Sequence, residues 1–315
     1  MKIVITDAST VTGGDLSFDI FSKFGEVTVY SLTKSEEVAE RIKDADIVLC
    51  NKTPMTEENM KDAKNLKYIG LFATGFNNID LDYTSAKGIT VCNVPGYSTE
   101  AVVQHTFALI LELLCRTSDY NKTVAEGDWI KSSTFSYFPI PLYELNGKTI
   151  GIVGMGSIGR RVVDVAIAFG MNVLVFKRSK IDDSRVKQVT LDELLRQSDI
   201  VSLHCPLNKD SDTMMDKEAF DKMKQGSVFI NTARGGLVDE NALREALVSG
   251  KLLGAGLDVL REEPMNKNCP LKNIKNCIIT PHIAWAGLET RKRLMGIVAS
   301  NIENFLKGSP VNTVS

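Results

Sequence analysis

The stretch from Lys148 to Gly159, KTIGIVGMGSIG, constrains the fold of this chain more than any other. An apolar run of strand character enters Gly154-Met155-Gly156-Ser157-Ile158-Gly159, and a helical sequence follows. A strand that turns straight into a helix is half of a crossover, and crossovers join parallel strands. The same alternation fills the chain. Lys2 to Thr6, Val27 to Tyr30, Ile47 to Cys50, Tyr68 to Leu71 and Thr90 to Asn93 read as strands, with helical spacing at Ser35 to Lys43 and Glu57 to Ala63 between them. A second series runs from Lys148 to His282. The expected fold is α/β, with two Rossmann-like doubly wound parallel-sheet domains separated by a cleft.

The run EAVVQHTFALILELLC after Thr99 is too regular for a strand and reads as a helix with Thr99 at its N-cap. Between Asp119 and Leu145 the chain carries Trp129, Phe135, Tyr137, Phe138, Pro139, Pro141 and Tyr143, too apolar for a linker and long for a loop. An arm gripping a second subunit is the expectation. Helix Asp239 to Ser249 is punctuated by Asp239 at its start and Gly250 past its end. The last helix, Gly287 to Lys307, follows the final strand and is expected to cross back to the first domain.

Composition narrows the function classes. At 315 residues the chain can hold two cores, and a net charge of −2 offers no basic footprint for nucleic acid or an anionic membrane. No apolar stretch approaches the length of a membrane span or signal peptide. The six cysteines show neither CxxC nor metal-ligand spacing, so a reduced, cytoplasmic protein without a bound metal is expected.

Ligands of open parallel sheets bind outside the carboxyl ends of the strands. The residues just past the strand ends are therefore the candidates. The three glycines allow a tight turn, close approach to a pyrophosphate and close strand–helix packing. SVFIN leads into Thr232-Ala233-Arg234, GAGLDV into Glu262-Glu263-Pro264, CIIT into Pro281-His282, and DIVSLH into Cys205-Pro206. In the first domain, Asn51-Lys52 and Thr74-Gly75 follow strands. An arginine presents a planar fork to a carboxylate, and an imidazole beside a carboxylate favours its charged form, an acid near neutral pH. His105, inside an apolar helix, reads as structural, whereas His204 is placed to line the cofactor cleft. A dinucleotide loop, an arginine, a carboxylate and a histidine on one edge imply a nicotinamide-dependent oxidoreductase.

These residues lie in stretches that resemble the D-isomer-specific 2-hydroxyacid dehydrogenases along nearly the whole chain: ATGFNNIDLD (73–82), NVPGYSTEAVVQHTFALILEL (93–113), GKTIGIVGMGSIG (147–159), LHCPL (203–207), INTARGGLVDE (230–240), GAGLDVLREEP (254–264) and TPHIAW (280–285). Within that family, the run from Tyr97 through Leu113 and Ala284-Trp285 are most similar to bacterial hydroxypyruvate/glyoxylate reductases. The resemblance implies Arg234 as the substrate-binding arginine, Glu263 rather than Glu262 as the glutamate, His282 as the acid/base, and Asp258 on the nicotinamide side. It implies a substrate domain of residues 1–99 plus 284–315, a dinucleotide-binding domain of 100–283, and a homodimer. Expected substrate contacts are Asn51, Lys52, Thr74, Gly75, Arg234 and Trp285. Expected cofactor contacts are residues 154–159, His204, Cys205, Pro206, Thr232, Ala233, Asp258, His282 and Ala284. The substrate would be a small 2-oxo acid. A D-lactate-type dehydrogenase and a dinucleotide-sensing protein like the C-terminal binding protein corepressors are the alternatives.

One position departs from the NAD-type pattern. After NVLVF, where a carboxylate would accept from the ribose hydroxyls, this chain has Lys177-Arg178-Ser179. Two cations and a hydroxyl would attract a 2′-phosphate, so NADP(H) is the favoured cofactor and NAD(H) the alternative.

Overall fold

Residues 1–314 are described by a computed structural model, and among these described residues the strands form two sheets, parallel throughout. The chain divides into two compact units, Met1–Ser98 with the chain from Ala286 on, and Thr99–Trp285.

The first unit is built on β1 (Lys2–Ile5), β2 (Glu26–Val29), β3 (Ile47–Cys50), β4 (Tyr68–Leu71) and β5 (Thr90–Cys92), in the order β2-β1-β3-β4-β5. Strands β3 and β4 are buried at every residue, as short apolar runs covered on both faces must be. The helices are α1 (Val38–Ile42), α2 (Glu57–Met60) and α3 (Leu81–Ala86), and the first two are shorter than their sequence spacing implies. Ser35–Glu37 forms a 3-10 turn ahead of α1, and α2 stops at Met60 where a helix to Ala63 is expected.

The second unit carries β6 (Thr149–Val153), β7 (Asn172–Phe176), β8 (Lys187–Gln188), β9 (Ile200–Leu203), β10 (Ser227–Asn231), β11 (Leu252–Leu257) and β12 (Cys277–Ile279). Their order is β12-β11-β10-β9-β6-β7-β8, so the chain builds outward from β6 in one direction and then in the other. The reversal falls between β6 and β9, the switch point where dinucleotides bind in sheets of this order. The helices are α4 (Thr99–Cys115), α5 (Thr117–Ala125), α6 (Ser157–Ala168), α7 (Leu191–Gln197), α8 (Lys217–Lys222) and α9 (Glu240–Val248). A final helix, α10 (Leu288–Leu306), belongs to the first unit, where Asn301 donates to the Asn93 carbonyl at 3.0 Å.

Two expectations are corrected. Thr99 is the first residue of α4 rather than its cap. The segment 119–145 is helical as far as Ala125, because Arg116, in the left-handed region at φ 52°, breaks α4 and restarts the chain as α5. Beyond α5 most of the aromatic residues stand open, with Phe135 91% and Phe138 79% exposed, whereas Tyr137 is half-buried.

The glycines of GAGLDV explain how α4 packs. A Cβ on Gly254 would lie 2.8 Å from Leu113 Cδ2, and one on Gly256 2.9 Å from Leu109 Cβ. Bare backbone at these two positions lets α4 lie against β11 at a distance no larger residue would permit.

Candidate active site

The glycine loop starts where β6 ends. Gly154 has φ +96°, and a Cβ there would meet the His204 carbonyl oxygen at 2.7 Å and the Cys205 nitrogen at 2.8 Å. A Cβ on Gly159 would collide with the Gly154 carbonyl, which holds α6 tight against the turn. Gly156 differs from both: nothing lies within 4 Å of its missing Cβ, and it caps α6 with no side-chain hydrogen bond and no acid in the first turn. This open space in front of uncapped helical amides fits a pyrophosphate, which a side chain at 156 would displace. The Ser157 side chain is exposed there, whereas Met155 is 2% exposed and Ile158 packs on the core, so these two offer a ligand little beyond main chain.

Past β7, the turn Lys177-Arg178-Ser179 is pinned by Gln188, whose Nε2 donates to the carbonyls of Lys177 (2.9 Å) and Ser179 (3.0 Å). Arg178 pairs with Asp210 at 2.9 Å, both side chains well exposed, while Lys177 has no ion pair among the described residues. On β9 and the loop behind it, Ser202 Oγ lies 2.8 Å from His204 Nε2, and burial pushes the His204 pKa down to about 4. That ring is neutral at physiological pH. Cys205 is half-buried, burial raising its thiol pKa, and Pro206 accepts from Ser211 Oγ.

Arg234, Glu263 and His282, which follow three different strands, share one pocket of about 310 Å³ with Leu207, Gly235, Gly236 and Arg261. His282 Nδ1 lies 2.7 Å from Glu263 Oε2, and the other oxygen of Glu263 accepts from the Leu260 amide at 3.0 Å. Glu262 is turned to Asn266, whose amide reaches both of its carboxylate oxygens at 3.1 Å. Arg261 shares the pocket but is held by Asp212, Thr213 and the Gly236 carbonyl. Arg234 is exposed, pairs with no carboxylate among the described residues, and donates only to the Ala233 carbonyl at 2.7 Å. Of the two arginines, Arg234 has a fork open to a ligand. Its turn is shaped by Asn231, which donates to the Arg234 carbonyl and accepts from the Ala233 amide.

Other candidates turn inward. The Asp258 side chain, expected on the nicotinamide side, is 1% exposed, and its carboxylate accepts from Thr280 Oγ1 (2.5 Å) and the amides of Ile283 (2.9 Å) and Ala284 (2.8 Å). It ties down the turn that carries His282. Thr232 is 8% exposed and bonds Thr106 of α4 at 3.1 Å. His105 reaches Thr280 Oγ1 at 2.9 Å and so joins the same network, which a reading of its apolar helix misses. In the first unit, Asp7 accepts from the amides of Asn51, Lys52 and Thr53. Asn51, 5% exposed, turns its side-chain amide inward to Thr10, so of these three only Lys52 has an exposed side chain. Thr74 donates to the Val94 carbonyl at 2.7 Å, and Gly75 is half-buried. Trp285, half-buried, ends the second unit. Among the described residues no group of three or more potential ligands could hold a metal ion, and no helix is long and apolar enough to cross a membrane.

A sheet of this order with an open glycine loop at its switch point defines a Rossmann-type dinucleotide-binding protein. The family model "D-isomer specific 2-hydroxyacid dehydrogenase, NAD binding domain" matches residues 107–284, more than half of the chain. A hydroxypyruvate reductase of Blautia hydrogenotrophica is 45% identical over the whole of both chains. A glycerate dehydrogenase of Methylorubrum extorquens is 38% identical, with 99% of this chain and 98% of that one covered. Among solved structures, an acyclic imino acid reductase in complex with NADPH and D-Arg superposes with a TM-score of 0.87 at 33% identity, both chains covered in full. The chain belongs to the D-isomer-specific 2-hydroxyacid dehydrogenase family and is an oxidoreductase that uses a nicotinamide dinucleotide.

Proposed function

We propose that this protein reduces a small 2-oxo acid, with hydroxypyruvate or glyoxylate favoured, to the D-2-hydroxy acid, or to glycolate from glyoxylate. The observation that carries the reading is the pocket past the ends of β10, β11 and β12, which an arginine without a carboxylate partner among the described residues shares with an imidazole already bonded to a glutamate. The reduced nicotinamide, when bound, supplies the hydride. Arg234 holds the substrate carboxylate through two parallel N–H bonds and polarises the carbonyl. Glu263 accepts a hydrogen bond from His282 Nδ1–H, which fixes the ring and leaves Nε2 to give its proton to the carbonyl oxygen. The substrate contacts expected of Asn51, Lys52, Thr74, Gly75 and Trp285 belong to the same proposal.

NADP(H) is the proposed cofactor, with NAD(H) the alternative. The turn 177–179 carries two cations, one of them (Arg178) paired with Asp210, and its main chain is held by Gln188, which supports an ordered basic turn rather than a loose loop. A charge-assisted bond to the 2′-phosphate contributes roughly 1.5–3 kcal/mol, about one to two decades in preference. The homodimer is proposed on the exposed aromatic residues beyond α5.

The test is the initial rate of NADPH and NADH oxidation over a panel of 2-oxo acids. Fastest turnover on hydroxypyruvate or glyoxylate, with kcat/KM higher for NADPH, is the expected result. Fastest turnover on pyruvate would mark a D-lactate-type enzyme, and no turnover on any member would favour a dinucleotide sensor. A preference for NADH would show that Lys177 and Arg178 do not meet the ribose.

A further inference from the structure

The contact between α4 and β11 follows a register. Leu113 faces Gly254 and Leu109 faces Gly256, each step being one helical turn on α4 and two residues on the strand. Four helical residues advance about 6.0 Å and two strand residues about 6.6 Å, so the two ladders stay in step. The next rung pairs His105 with Asp258, and His105 Nε2 lies 3.6 Å from Asp258 Oδ1. Between them sits Thr280, whose hydroxyl is 2.9 Å from His105 Nε2 and 2.5 Å from Asp258 Oδ1.

The polarity of this chain of bonds is fixed. Asp258 accepts from Thr280, and a hydroxyl has one proton to give, so Thr280 Oγ1 must accept from His105. His105 therefore carries its proton on Nε2. At the far end, Asp258 holds both sides of the turn: its carboxylate accepts from Ile283 and Ala284, and its carbonyl accepts from the His282 amide at 2.8 Å. His282 has φ +56°, a conformation that side-chain-bearing residues adopt at some cost and keep only where their surroundings over-determine it.

We propose that His105 is a positioning residue for the reaction: through Thr280 and Asp258 it locks the backbone of the turn that aims His282, and the bare glycines of β11 exist to bring α4 close enough to do so. Helix α4 braces the second catalytic turn in the same way, since Thr106, the next residue, bonds Thr232 two residues before Arg234. The inference rests on the reading of His282 as the proton donor.

With only three histidines in the chain, selective 15N-histidine NMR resolves and assigns each ring by substitution. In the wild-type protein without ligands, His105 should show a protonated Nε2. A ring protonated on Nδ1 alone would overturn the relay, and this arm needs no activity. In Thr280→Val and His105→Leu, kcat should fall about 10–100-fold with the KM for the oxo acid changed less than about threefold, the cost of a misplaced catalytic group. The His282 resonances should move and those of His204 should not. Thr280→Ser and His105→Gln, which keep the hydroxyl and the Nε2 donor, should restore turnover and the His282 resonances. Unchanged kcat and unchanged His282 resonances in folded Thr280→Val would overturn the proposal. Near-normal turnover of His282→Ala would instead overturn the functional reading, leaving the resonance arms to decide whether His105 sets the turn.

Discussion

At the scale of residues, the site works by deciding which polar groups are already engaged. Arg261 and Glu262 line or border the pocket as visibly in the sequence as Arg234 and Glu263, yet both are held by neighbouring side chains, leaving Arg234 its fork and Glu263 the ring of His282. His204 is withdrawn by another route. Burial lowers its pKa to about 4, against 6.5 for an exposed histidine. Below pH 6.5 the unfolded chain takes up a proton that the native protein refuses, so this group costs stability as pH falls from about 6.5 to about 4, and its effect is constant above that window. At pH 5 the cost is about 2 kcal/mol. Urea unfolding of the ligand-free protein at pH 7.5 and pH 5 should show a loss about that much smaller in His204→Asn than in wild type. An equal loss in both would mean that His204 is protonated in the native protein.

At the scale of elements, the strands were legible because most are short apolar runs buried along most of their length, and Ile47–Cys50, Tyr68–Leu71 and Ser227–Asn231 begin and end where the pattern does. Helices were less legible where tertiary packing overrides local signals. The thin first-unit connections shrink to one or two turns, and Thr99 enters α4 instead of capping it. The two-residue strand β8 has no apolar signature, both its residues being exposed, although Gln188 on it pins the turn after β7. The site shows the same division. Residues past strand ends can be placed from the pattern alone, so Arg234, His282 and the pair Glu262-Glu263 could be gathered in advance, while the choice of Glu263 within the pair came from the family resemblance. His105 could not, because its partner Thr280 is 175 residues away and the link depends on the register of α4 with two glycines. The spacing 105, 109, 113 against 254, 256, 258 was the available signal.

At the scale of the whole molecule, one feature concerns assembly and the other the reaction. Trp129, Ile130, Phe135 and Phe138 expose between 51% and 91% of their surface within ten residues of one another, apolar area that a monomer would leave in water. A second copy covering it should appear as a dimer in sedimentation at micromolar concentration, and Phe135→Asp with Phe138→Asp should shift the species to monomer; a wild-type monomer would contradict the reading of this arm. The other feature is chemical. The central claim is that this family member is a reductase in which His282 gives the proton, and it is tested most directly by kcat of His282→Ala with saturating hydroxypyruvate and NADPH, cofactor binding being checked on the same sample by fluorescence titration. A fall of about 10²–10⁴ in kcat with cofactor affinity retained is the result this account predicts. A kcat close to wild type would contradict it.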